Sequence, residues 1–143
     1  MARTELGDII DELVTLERQL TGSKVAYDEA PESIATAPAW LNFPMRGTFR
    51  AQTGWSEDSH TMGCACVKRR ALMAQDEALM RPLITQFPDL LHQNLMLNGT
   101  VAHIQDIRYQ YGVIETLSSP EEPMWGVMFE VDFIVKDVIT VDT

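Results

Sequence analysis

The sequence predicts an α+β fold, in which an N-terminal helix and a central helix pack on a mainly antiparallel sheet that ends in a long C-terminal β-hairpin. Three observations predict it. Met73–Asn94 carries apolar side chains at the 3.6-residue spacing of a helix. Met124–Val138 alternates apolar and polar side chains, as a strand with one buried face does. Thr4–Leu20 repeats the helical spacing near the start of the chain. The length of 143 residues predicts a single domain, spanning residues 1–143.

The first helix, Thr4–Leu20, is predicted from a stripe of leucine and isoleucine side chains on one face. These are Leu6, Ile9, Ile10, Leu13, Leu16 and Leu20. Thr4 is the predicted N-cap and Gly22 the predicted C-cap. After the helix we predict a short strand at Lys24–Asp28 and a proline-containing loop at Glu29–Pro38.

The next segments predict two strands with an irregular stretch between them. Ala39–Phe43 is an apolar strand that we expect to end at Pro44, because proline cannot donate to a sheet ladder. Arg46–Asp58 has no clean period, so we expect a long loop or an extended hairpin there. His60–Lys68 is a further strand, and one of its faces carries His60, Met62, Cys64 and Cys66.

Two prolines interrupt the central helix. Pro82 and Pro88 each remove a backbone donor and clash with the preceding turn, which costs roughly 3 kcal/mol when no kink relieves it. We therefore expect a bent helix, or two segments that meet near Pro88.

The C-terminal hairpin is predicted from two long strands, Val101–Thr116 and Met124–Val138. We expect this hairpin and the central helix to form the core. The core-facing side chains of the first strand are predicted to be Ile107, Tyr109, Tyr111 and Val113, and those of the second Trp125, Val127, Phe129, Val131, Phe133 and Val135.

Composition and charge narrow the class of protein. No apolar run approaches the ~20 residues that a membrane helix needs. The acidic, amphipathic N-terminus does not resemble a signal peptide, and two cysteines do not make a disulfide framework, so we expect folding in a reducing cytoplasm. The net charge of −10, with basic residues clustered only at Lys68–Arg70, argues against tight binding of nucleic acid.

No pattern predicts a catalytic, cofactor or metal site. Cys64 and Cys66 lie ~6.6 Å apart along a strand, which a zinc ion could bridge, but His60 is six residues, or ~20 Å, from Cys66 along that strand and cannot complete the site. His92 and His103 belong to other elements, so a Cys66–histidine nucleophile pair has little support. We expect both cysteines to be small buried hydrophobes.

The candidate partner-binding residues are arginines, aromatic residues and one basic cluster. Aromatic and arginine side chains are the types that anchor protein interfaces. The candidates are Arg46, Phe49, Arg50 and Trp55 in the irregular stretch, and Lys68, Arg69 and Arg70 after the following strand.

Several segments together resemble the tail terminator, or tail completion, proteins of long-tailed bacteriophages, which include the lambda-type minor tail protein U. The resemblance covers nearly the whole chain and rests on structural motifs in a shared order. After the N-terminal helix, these motifs are YDEAPESI…PAWLNFP (Tyr27–Pro44), ALMRPLI (Ala78–Ile84), NLMLNGTVAHI (Asn94–Ile104), IRYQYGVIE (Ile107–Glu115) and WGVMFEVDFIVKD (Trp125–Asp137). Pro88 departs from that pattern.

The resemblance implies a virion protein of the tail and neck, without enzymatic activity or cofactor, that assembles into a homohexameric ring. Such a ring caps the tail tube, stops its polymerisation and joins it to the head connector, and DNA passes through without specific binding. A head–tail connector or stopper protein is the alternative at the same junction. A small enzyme that uses Cys66 and a histidine is a further alternative.

Overall fold

The computed structural model describes residues 5–20, 25–27, 39–68, 78, 80–99, 101–114 and 124–138. Within these ranges, two α-helices and six strands form an α+β fold, as the sequence predicted. In chain order the elements are α1 (Leu6–Glu17), β1 (Val25–Tyr27), β2 (Ala39–Thr48), β3 (Ala51–Gln52), β4 (Trp55–Lys68), α2 (Leu83–His92), β5 (His103–Val113) and β6 (Trp125–Val138).

One sheet organises the molecule, with its strands in the order β1-β2-β4-β6-β5. The β1–β2 pair is parallel, and every other pair is antiparallel. The central pair, β4 and β6, stays in register from Trp55↔Val138 to Lys68↔Trp125. β5 ends the order, and within the described ranges no strand pairs with its outer edge. The predicted C-terminal hairpin is therefore present, and one of its strands is a sheet edge.

The main core cluster lies between the two helices and one face of the sheet, and a second buried cluster, which includes Leu41, Ala65, Val67 and Met128, lies on the opposite face. The centre of the main cluster is aromatic: the ring centroid of Phe87 on α2 lies 4.9 Å from that of Trp40 and 4.7 Å from that of Phe129. All six predicted inward residues of β6 are buried in this cluster, together with Met62, Cys64 and Cys66 of β4. The alternation in β6 thus identified its core face correctly.

The apolar stripe of α1 is confirmed, but the helix is shorter than predicted. Ile9, Ile10, Leu13 and Leu16 are buried, and Leu6 and Leu20 pack against them. The helix ends at Glu17 rather than at Leu20, and its N-cap is Glu5, which makes no side-chain capping bond. Thr4, Gly22 and Glu29–Pro38 lie outside the described residues.

Pro44 does not end β2, which continues to Thr48. The prediction failed because the strand shifts register between Pro44 and Arg46, and a β-bulge tolerates a residue that cannot donate to the ladder. Just before the bulge, the Phe43 ring lies over Gly63, where an added Cβ would be 2.5 Å from the ring. β4 likewise begins at Trp55, five positions earlier than predicted.

The central helix breaks at Pro82, not near Pro88. Ala78 and Met80 are helical, Arg81 and Pro82 form a turn, and α2 then runs from Leu83 through Pro88 to His92. Pro82 occupies the N-cap, where its missing donor costs little. Pro88 is tolerated because Phe87 and other apolar residues on its helix are buried, which stabilises the helix around the lost bond. Residues 73–77 and 79 lie outside the described part.

The predicted inner face of β5 is only partly covered. Ile107 packs against the core, whereas Tyr109 is 57% exposed and Val113 56% exposed, with Tyr111 also at the surface. These residues do share a face with the core side of β6, since Tyr109 pairs with Phe129. The face was therefore assigned correctly, but its burial was wrong, because alternation cannot show whether a helix covers an edge strand.

No helix in the described part of the chain is both long enough and apolar enough to span a membrane.

Candidate partner-binding site

The irregular stretch Arg46–Asp58 is an extended hairpin rather than a loop. β2 continues to Thr48, the short strand β3 folds back on the start of β4, and Gly54 closes the turn between them at φ +81°. Glycine reaches this left-handed conformation at little cost, which explains its place there. We call residues 48–56 the hairpin tip.

Asp58 fixes the backbone of the hairpin tip. Its carboxylate is buried and accepts a hydrogen bond from the backbone N–H of Arg50 at 3.3 Å and another from the Ser56 hydroxyl. The Arg50 carbonyl in turn accepts from the Glu57 backbone N–H at 3.0 Å. These bonds connect the two arms of the tip through the backbone.

Phe49 and Trp55 are both exposed at the tip, but they lie on opposite faces of the sheet. Phe49, at 62% exposure, meets His60 edge-on with ring centroids 5.4 Å apart, and His60 points to the helix-covered face. Trp55, at 42% exposure, lies on the other face with Glu57 and Ser59. The tip thus presents two separate aromatic contacts rather than one patch.

Arg46 belongs to a charged cluster on the face of the sheet opposite the helices. Its guanidinium lies 3.3 Å from Glu130 Oε1, and Arg108 pairs with Asp132 at 2.7 Å. Asp132 also accepts a hydrogen bond from the Thr61 hydroxyl at 2.5 Å. The hydrogen bond from Arg108 lowers the pKa of Asp132 and raises that of Arg108. The charges across β2, β4, β5 and β6 thereby balance, and Arg46 is engaged within the chain.

The basic candidates do not join the tip. Lys68 ends β4 at the opposite end from Trp55, roughly 43 Å away along the strand. Arg69 and Arg70 lie outside the described residues. The predicted set therefore separates into a tip group of Phe49, Arg50 and Trp55, with Arg46 nearby, and a distant Lys68.

A second exposed surface was not predicted from the sequence. Tyr109, Tyr111 and Val113 form the β5 stripe, three alternate side chains on the uncovered part of an edge strand. The Tyr111 ring packs edge-on against Trp125, with ring centroids 5.4 Å apart, and this contact positions Tyr111 within the stripe. The alternation of β5 in the sequence places these side chains on one face, but alternation alone does not show what covers that face.

The two thiols are embedded in the core. Burial raises the pKa of both Cys64 and Cys66, and ionisation of the nearby Glu17 would raise each further. A catalytic cysteine needs the opposite shift, toward the thiolate, so this environment weakens the case for a Cys66 nucleophile. Within the described ranges, no group of three or more His, Cys, Asp or Glu side chains could hold a metal ion.

Glu17 is a second feature that the sequence prediction missed. This last residue of α1 is fully buried, and its Oε1 accepts a hydrogen bond from Asn42 Nδ2 at 2.6 Å. Burial raises the pKa of Glu17 well above its ordinary value. The helical spacing contained the signal, because Glu17 follows Leu13 by four residues and Ile10 by seven and so continues the apolar stripe.

No family model matches this chain, and no curated protein matches it.

Proposed function

We propose that this chain is a structural subunit of the tail terminator class, which assembles into a ring that caps the tail tube of a long-tailed bacteriophage and joins it to the head connector. The observation that carries the proposal is the β5 stripe. An edge strand of 11 residues that exposes tyrosine and valine side chains is a liability in a solitary protein and is suited to a subunit contact.

The position of the two exposed surfaces supports a ring. The β5 stripe lies on one edge of the sheet, and the hairpin tip projects from β2 and β4, with β6 between β4 and β5. A ring needs a head-to-tail contact, in which the β5 stripe of one subunit meets a different surface of the next, and such contacts close when the rotation is right. We assign the β5 stripe to the lateral contact within the ring and the hairpin tip to the contact with a neighbouring ring.

The charge of the chain fits a conduit for DNA. A net charge of −10 gives a surface that repels phosphate, which favours passage of DNA over its retention. The tip supports docking because Arg50 is held through its backbone, which leaves its side chain to meet a partner alongside Phe49.

Two double variants test the proposal separately. Tyr109→Ser with Val113→Ser should leave melting nearly unchanged but prevent ring formation, as measured by mass photometry with and without tail-tube protein. Phe49→Ala with Arg50→Ala should still form rings but fail to cap purified tube ends, and phages that carry it should have overlong tails or unjoined heads. Each variant is the control for the other, since both remove exposed side chains.

Three results would contradict the proposal. Wild-type protein that stays monomeric both alone and with tube protein would exclude a ring. Normal virions from the Phe49–Arg50 variant would exclude docking by the tip. Wild-type protein that binds filled heads but never tube ends would place the chain in the connector class instead.

A further inference from the structure

We propose that Glu17 is a proton-controlled latch for α1: the helix stays docked on the sheet while the Glu17 carboxyl carries a proton, and loss of that proton opens the helix and uncovers Cys64 and Cys66. This inference concerns a single chain and does not depend on the formation of a ring.

The geometry around Glu17 disfavours a carboxylate. The side chain is fully buried, and its Oε2 has no hydrogen-bond partner among the described residues. Asn42 supplies one neutral donor, to Oε1. A buried carboxylate without a cation or further donors costs several kcal/mol, whereas a protonated carboxyl loses most of that penalty.

The position of Glu17 in the helix adds to this penalty. Glu17 is the last residue of α1, at the end where the helix dipole places partial negative charge; no basic residue lies in that last turn, and the C-cap residue Arg18 is exposed. Acidic side chains are favoured at the other end of a helix. A second negative charge at this end therefore weakens the helix and its docking together.

Among the described residues, the groups that face Glu17 from β2 and β4 do not supply a positive charge. β2 contributes Asn42, and β4 contributes the thiols of Cys64 and Cys66, whose pKa values are raised by burial and would be raised further by ionisation of Glu17. From α2 and the turn after it, the described buried residues are apolar, namely Leu83, Phe87, Leu91 and Leu97. The Glu17 carboxyl is the ionisable acid in this core cluster, and the thiols beside it are neutral.

The sign of the pH dependence follows from linkage. The docked state has a raised Glu17 pKa, and an open state returns it to about its ordinary value of 4.5. Docking is therefore strongest below about pH 4.5 and weakens as the pH rises through the docked-state pKa. Within that window, release of one proton makes the opening constant grow roughly ten-fold per pH unit.

The two thiols report this opening directly. Both are buried, so they react with 4,4′-dithiodipyridine only when the core opens. We would measure labelling of wild-type, Glu17→Gln and Glu12→Gln proteins from pH 5 to 8, each divided by the labelling rate of the same chain in denaturant. The Glu12 variant is a matched control, because it removes a carboxylate from the more exposed side of the same helix.

The latch predicts that the corrected rate rises with pH in the wild type and the Glu12 variant, with a limiting slope of about ten-fold per pH unit below the docked-state pKa, and stays flat in the Glu17 variant. Hydrogen exchange should show the same pH dependence in α1 amides and a smaller one in β6. A corrected rate with equal slopes in all three proteins would overturn the proposal. So would equal exchange in α1 and β6, because opening would then be global unfolding.

A direct titration keeps the test decisive if Glu17→Gln does not fold. The carboxyl carbon of Glu17 in the wild-type protein can be followed by NMR across the same pH range. A midpoint well above 4.5 agrees with the latch, and an ordinary midpoint contradicts it.

Discussion

Truncation of Phe87 tests the core most directly. Phe87 is fully buried, and it is the residue through which α2 contacts β2 and β6. Replacement of a buried phenylalanine by alanine costs about 3–5 kcal/mol through lost transfer energy and the cavity left behind. That total already includes the two ring contacts, to Trp40 and Phe129, and such pairs contribute about 0.5–1.5 kcal/mol each. We therefore expect Phe87→Ala to lower the free energy of unfolding by about 4 kcal/mol.

The expected shift in melting temperature follows from the length of the chain. At about 2.1 cal/mol/K per residue, 143 residues give an unfolding entropy of about 0.3 kcal/mol/K. A loss of about 4 kcal/mol then lowers Tm by about 13 °C. Urea denaturation and calorimetry at several protein concentrations would measure this, since subunit contacts would make stability depend on concentration.

Phe49→Ala is the control, because the same truncation at an exposed position should cost less than about 1 kcal/mol. A double-mutant cycle with Phe129→Ala should give a coupling of at least about 0.5 kcal/mol. Equal shifts for Phe87→Ala and Phe49→Ala would refute the placement of α2 on this face of the sheet.

Two further substitutions probe the sheet. Gly126→Ala should destabilise the protein by about 3 kcal/mol or more, because Gly126 has φ +157° and an added Cβ would lie 2.0 Å from the Cys66 carbonyl oxygen. Gly7→Ala is the control. Gly7 lies on the open surface of α1, so this change should stabilise the protein by roughly 0.5–1 kcal/mol. Equal melting temperatures for these two variants would contradict the close approach of β4 and β6. Asp132→Asn should cost less than about 1 kcal/mol at neutral pH, an effect that shrinks in high salt. Because the Arg108 pair lowers the pKa of Asp132, the difference should also vanish as the pH falls through that lowered pKa; a difference that persists in acid would show another cause.

The sequence predicted the elements whose periodicity is unbroken. Six alternating apolar residues identified the buried face of β6, and the α1 stripe identified the buried face of that helix. Pro44 and Pro88 misled the prediction, because their effect depends on a bulge in one case and on tertiary burial in the other. The order of the strands could not be predicted from the sequence pattern either, because the pairing of β2, β4 and β6 depends on contacts between residues far apart in the chain.

The candidate site was predicted in part. Phe49, Arg50 and Trp55 do lie together at an exposed hairpin tip, but the sequence could not show that Asp58 holds its backbone. It also could not show that Tyr109 is exposed, because periodicity tells which side chains share a face but not what covers that face. Glu17 was overlooked because charged residues are assigned to the solvent face by default.

The contact of Phe43 with Gly63 bears on how the chain avoids misfolding. An error of one residue in strand pairing exposes the whole core face, but an error of two keeps every apolar side chain inside, so alternation alone does not prevent it. In β2 and β4, a two-residue error would set the Phe43 ring against Thr61 or Ala65, whose Cβ atoms fill the space that Gly63 leaves empty. The Phe43 ring opposite Gly63 therefore favours one β2–β4 register over the registers shifted by two residues, which bury the same apolar side chains.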